Sequence, residues 1–235
     1  MNADKCSACR GQCCYGALVR LSWDDVRRVG RSQHLDFASF AQMVVDEGRT
    51  SQEFALAFGL GPHAEPHLLA LRHSSRVANA CAFLVLVAGQ PCGIYEDRPA
   101  VCRVYPMRRS GAGIAVRDDV ICRPHDWDRA RFDPAPYVDA IGLQHCEWRT
   151  FERTVAVWNR TLAGRGGATA DAFVAYLDAT YARIDRTRAA LGEGDYRRLV
   201  DSWHDDGPAS AVPRAAFLET IEHQAQYALN AIAVA

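Results

Sequence analysis

The sequence predicts an α+β protein. Its cysteine-rich N-terminal half, residues 1–126, should hold short strands, and its C-terminal half, residues 127–235, should be α-helical and packed with it. Two observations carry this expectation. Eight of the nine cysteines lie in the first 122 residues, among short apolar runs punctuated by glycine and proline. From Pro134 onward, apolar residues recur instead at the three-four spacing of amphipathic helices.

Taken in order, Ala17 to Leu21 alternates enough for a short strand. Ser22-Trp23-Asp24-Asp25 then pairs a capping serine with an acid three residues on, which opens a helix through about Val29. Phe37, Phe40 and Val44 keep helical spacing, so a second helix is expected over Leu35 to Asp46, ended by Gly48. Residues 51–76 read as irregular, because Gly59, Gly61, Pro62 and Pro66 break any pattern. The run Cys81 to Cys92 reads as a strand, a turn at Gly89-Gln90 and a return through Tyr95, a hairpin that delivers two thiols. Arg98-Pro99 turns the chain toward Cys102, and Ile114 to Val116 and Val120 to Cys122 suggest further short extended pieces. In the second half, Trp148, Phe151, Val155, Trp158 and Leu162 mark one helix, and Gly164 to Gly167 breaks it. Val174, Leu177, Tyr181, Ile184 and Leu191 mark another, ended at Gly192, with shorter helices expected at 196–203 and 213–232.

Composition narrows the function classes. A 235-residue chain with 49% hydrophobic residues can bury a core, which argues against disorder. Its formal charge of -1 lacks the basic excess of a general nucleic-acid binder. The longest apolar stretch, Ala80 to Ala88, is about half of a membrane span, so no membrane partner is expected. Lys5 is the only lysine, and an arginine bias of that kind needs no functional cause. Dinucleotide, P-loop, Gly-x-Ser-x-Gly and His-Glu-x-x-His signatures are lacking, and Gly111-Ala-Gly113 is too short for a nucleotide loop.

The cysteines carry the chemistry. Cys6-x2-Cys9-x3-Cys13-Cys14 packs four thiols into nine residues, where they either oxidise or share a cation. The opening MNADKCSACRG has no apolar signal core, so the expected compartment is the reducing cytoplasm, and nine is an odd count for disulfides. Both favour metal. A second set, Cys81, Cys92, Cys102 and Cys122, is spread over predicted strands and turns. Thiolates suit zinc or iron–sulfur clusters, and each such site usually takes four. Cys13 and Cys14 are adjacent, so they are poorly placed to grip one small tetrahedral ion together. They could serve separate metals, or separate irons of one cluster. Only Cys6 and Cys9 form a knuckle-like pair, which tilts the choice toward an iron–sulfur cluster, with zinc remaining open.

Combined in order, Cys6-x2-Cys9-x3-Cys13-Cys14, Cys81-x-Phe83-Leu84, Gly89-x2-Cys92-x-Ile94-Tyr95-x2-Arg98-Pro99-x2-Cys102-Arg103-x-Tyr105-Pro106 closely resembles the CxxCxxCC cysteine-cluster family of zinc- or iron-chelating domains, also called YkgJ-like. The resemblance spans roughly residues 6–122. It implies a cytosolic bacterial protein whose matching cysteines chelate metal; the expected ligand set is Cys6, Cys9, Cys13, Cys14, Cys81, Cys92, Cys102 and Cys122, around one or two centres, as a cluster of 4Fe-4S type or as zinc. Some members of the wider family are associated with lysine methylation of flagellin. An S-adenosylmethionine-dependent protein lysine methyltransferase is therefore one alternative, and a zinc-stapled structural or interaction module is another. A protein partner or substrate is not specified.

Other polar residues carry weaker signals. Arg10, Arg103 and Arg123 each follow a cysteine and, with Arg98, could donate to sulfur around an anionic centre; surface arginines would look the same. His63-x3-His67 has one-turn helical spacing that could hold zinc, but Pro62 and Pro66 make ordinary loop histidines the better expectation, and His73 stands apart. Cys146, beside His145 at the start of a helical pattern, is expected to be a packed thiol outside the ligand set.

Overall fold

A computed structural model describes residues 11–46, 57–85, 91–110, 113–118, 120, 133–162 and 167–201. It is an α+β structure of short antiparallel strands followed by long helices. No described helix is long and apolar enough to cross a membrane. The predicted helix at 213–232, the turn at Gly89-Gln90, the residues of the Gly164 break before Gly167, and Gly48 all lie outside the described residues.

A 3-10 turn at Gln12–Cys14 precedes helix α1, Trp23–Gln33. Ser22 caps α1 as expected: its hydroxyl accepts from the Asp25 N–H at 3.1 Å, and the Asp25 carboxylate accepts the Ser22 N–H at 3.0 Å. Residues 17–21 do not form a full strand; Val19 and Leu21 each exchange one backbone bond with Leu71 and Leu69, at 2.9 Å each. The helix expected over Leu35 to Asp46 is corrected to a single turn, α2 at Phe37–Phe40, and strand β1 at Ala41–Val45. The β-branched pair Val44-Val45 accepts the pleated conformation, and sheet pairing overrides a weak helical spacing.

Residues 57–76, read as irregular, are also more ordered than expected. Strands β2 at Phe58–Leu60 and β3 at Glu65–Leu71 pair antiparallel, with Phe58 opposite His67 and Leu60 opposite Glu65. The sheet order is β1-β3-β2. Pro66 sits within β3 because it lacks only a donor; its carbonyl accepts the Asp46 N–H at 2.8 Å. The Pro99 turn leads into a short helix, α3 at Ala100–Val104, followed by the hairpin of β4, Met107–Ser110, and β5, Gly113–Val116. Helices α4, Val138–Leu162, α5, Ala170–Leu191, and α6, Glu193–Asp201, complete the described chain. Each starts earlier than its apolar spacing alone indicated. Thr169 caps α5 through its hydroxyl, and Gly192 ends it with a φ of 79°.

The chain divides into two compact units, residues 1–42 with 69–145, and residues 43–68 with 146–235. In the first, Leu21, Trp23, Val26, Val29, Phe40, Ala80 and Ile94 are buried, and Val104, Met107, Val116 and Ile141 form a cluster of their own. In the second, Phe58 stacks on Phe173 with centroids 4.0 Å apart, and Trp158 lies 5.1 Å from both Phe173 and Tyr176. Polar ends are satisfied there: Trp158 Nε1 donates to the Gly59 carbonyl at 3.1 Å, and Tyr176 to the Thr154 carbonyl at 2.9 Å.

Candidate metal centre

Five of the eight cysteines expected as ligands are described, and all five belong to the first unit. Cys6, Cys9 and Cys122, with Arg10 and Arg123, lie outside the described residues. Cys13 and Cys14 ride on the 3-10 turn, which Gly11 enters with a φ of 71°. That left-handed conformation suits glycine. It also lets the loop approach the hairpin: a Cβ on Gly11 would stand 3.0 Å from Leu84 Cδ1 and 3.1 Å from Pro91 Cβ.

The turn is pinned to the start of the next cysteine segment. Cys81 donates its N–H to the Cys14 carbonyl at 2.7 Å, and Gly16 donates to the Asn79 carbonyl at 2.7 Å. The expected hairpin is present as short antiparallel pairing, with Leu84 opposite Cys92, Val85 donating to the Pro91 carbonyl and Gly93 to the Phe83 carbonyl, both at 2.9 Å. Cys102 comes from α3, whose first residue, Ala100, donates its N–H to the Asp25 carboxylate at 2.7 Å. Three segments distant in sequence thus contribute thiols.

The sulfurs feel one another. The Cys14 thiol hydrogen-bonds to Cys13 and brings its pKa down to about 7, against the effect of burial and with help from the Arg98 charge. Cys14 is correspondingly pushed far up, first by that bond, then by burial and by the charges of Cys13, Cys81 and Cys92. Burial raises Cys81 and Cys92; the charges of Cys92 and Cys13 add to it at Cys81, and that of Cys13 at Cys92, where Arg98 works the other way. Burial also pushes the Cys102 thiol well up, with the charges of Cys13, Cys81, Asp25 and Cys92 adding to it. One negative charge among these thiols therefore disfavours the next, and a cation would relieve all of them together.

Arg98 supplies part of that positive charge. Its guanidinium lies 3.8 Å above the Tyr95 ring and donates through Nε to the Tyr95 carbonyl at 2.7 Å. Arg103 turns to backbone, donating to the carbonyls of Arg98 at 3.0 Å and Glu96 at 2.5 Å.

The six described cysteines are free thiols. Among the described residues, no group of three or more His, Cys, Asp or Glu side chains is gathered tightly enough to hold an ion by itself. The described thiols nonetheless match soft metals in donor chemistry, and Arg98 matches the anionic character of a thiolate shell.

A family model described as "Putative zinc- or iron-chelating domain", CxxCxxCC, matches residues 5–123. The chain belongs to the CxxCxxCC family. The matched segment contains all eight clustered cysteines and excludes Cys146, and CxxCxxCC membership supports metal chelation. No curated protein and no solved structure matches the chain.

The remaining candidates fall elsewhere. His63 lies in the turn before β3, and His67 lies within that strand with its ring stacked on Phe58, so the pair has no shared helical face. His73 forms an isolated bridge opposite Cys81, which nothing in its sequence context signalled. Cys146 is buried in α4, 2% exposed. Gly113 opens β5. Asp25 was legible as a capping acid and not as a partner of α3.

Proposed function

We propose that this CxxCxxCC protein holds one or two iron–sulfur centres through thiolates drawn from Cys6, Cys9, Cys13, Cys14, Cys81, Cys92, Cys102 and Cys122. The observation that supports it best is electrostatic: the charges of Cys13, Cys81 and Cys92 bear on both Cys14 and Cys102, thiols that come from different segments. Five described thiols exceed the four that complete either one zinc shell or one cluster, so the choice between them turns on how the ligands are arranged. A cluster distributes its ligands over several irons, so the adjacent Cys13 and Cys14 can each find one. Arg98, held by Tyr95, offsets negative charge on Cys13 and Cys92 when metal is bound. The protein acts in the cytoplasm as a metal-carrying module, with neither nucleic acid nor membrane as partner.

The test is isolation without oxygen, followed by iron, zinc and acid-labile sulfide analysis. Iron and sulfide in comparable amounts, with a broad visible absorption, are expected. Stoichiometric zinc without sulfide, in protein never exposed to air, would reject the cluster.

A further inference from the structure

The geometry points to Asp25 as a positioning residue that holds Cys102 in the metal site by capping helix α3 from outside that helix. The Asp25 side chain is wholly buried and surrounded by donors. Oδ2 accepts from the Ser22 N–H and hydroxyl, each at 3.0 Å, and Oδ1 accepts from Arg28 Nη2 at 2.5 Å. The same Oδ1 accepts the Ala100 N–H at 2.7 Å, across 75 positions of sequence.

That last bond answers a local deficiency. The residue before α3 is Pro99, whose ring offers no acceptor, and α3 has no side-chain cap of its own. Helix-opening N–H groups need a partner when buried, and Ala100 is 3% exposed. Asp25 provides it, so one carboxylate closes the capping box of α1 and caps α3. Cys102 lies two residues beyond Ala100 in this five-residue helix, which is too short to hold its direction by its own hydrogen bonds. Arg28 pairs with the same carboxylate at 2.5 Å and helps to hold it in place. The inference rests on Cys102 being a ligand.

The experiment compares chelator-driven metal release, by EDTA, from anaerobically purified full-length variants. Asp25→Ala should release metal about tenfold faster than the parent or more, the value of one charged hydrogen bond. Ser22→Ala loses the α1 cap but keeps the bond to Ala100, so its release should stay within about threefold although its unfolding midpoint falls. In metal-free protein, Cys102 should be alkylated faster in Asp25→Ala than in Ser22→Ala. Equal release rates for Asp25→Ala and Ser22→Ala, fast or slow, would overturn the inference. If Asp25→Ala does not fold, Asp25→Asn and Asp25→Glu decide: Asn keeps an oxygen in place for Ala100, whereas Glu displaces it. Release no faster from Glu than from Asn overturns the inference too. Cys102→Ser separates this from the site it depends on. If that variant keeps its full metal complement, the ligand set itself is wrong. If it loses metal while Asp25→Ala matches Ser22→Ala, only the tether fails.

Discussion

The backbone N–H of Cys81 donates to the carbonyl of Cys14 at 2.7 Å, joining the two cysteine segments through main chain rather than through sulfur. The thiols are therefore brought near one another by a hydrogen-bonded scaffold of the first unit, to which metal adds further cross-links.

Gly11 is the tightest point of that scaffold. Alanine there would be forced into a left-handed conformation, at a cost of about 1–2 kcal/mol, before any crowding. Its Cβ would also press on Leu84 and Pro91 at 3.0 and 3.1 Å. Gly11→Ala is expected to lower both the unfolding midpoint and the metal occupancy, measured on protein purified without oxygen. Unchanged occupancy would show that the approach of the loop to the hairpin is not needed.

Removal of metal should loosen the first unit selectively. Its thiol-bearing pieces are a 3-10 turn, a few bridges and a five-residue helix, whereas α4 and α5 of 25 and 22 residues carry their own hydrogen bonds. Hydrogen exchange after chelation should accelerate at residues 12–16, 80–85 and 91–104. Protection at residues 146–162 and 170–191 should persist. Uniform protection with and without metal would contradict this.

The helical unit should be separable from metal retention. Phe173 is fully buried between Phe58 and Trp158, so Phe173→Ala is expected to cost about 3–5 kcal/mol of stability. Below its lowered unfolding temperature, the variant should keep the parent metal content. Denaturation curves and metal analysis on the same preparation check both halves of that statement.

The features legible in the sequence were those with local causes. Ser22 and Asp25 are three residues apart, and their capping box forms as read. The long helices declare themselves by spacing, and Gly192 by its position at a helix end. Missed features depend on partners far along the chain. Ala41–Val45 becomes a strand because it joins the sheet order β1-β3-β2, and Pro66, read as a breaker, stays in β3 because its carbonyl is still useful. The Asp25 to Ala100 bond spans 75 positions, with no spacing rule to reveal it. Cysteine identity and order, by contrast, carry the CxxCxxCC signature within the sequence itself.

Metal content per chain, in Cys14→Ser, Cys102→Ser and Cys146→Ser purified in parallel without oxygen, tests the central claim most directly. Cys14 and Cys102 are taken as ligands, and serine replaces a soft anionic donor with a neutral hydroxyl. Cys146 is 2% exposed in α4, outside the family-matched segment, so serine there should cost stability alone. Depleted metal is expected in the first two variants and a full complement in the third. Loss of metal from Cys146→Ser, with a full complement in Cys14→Ser and Cys102→Ser, would contradict it.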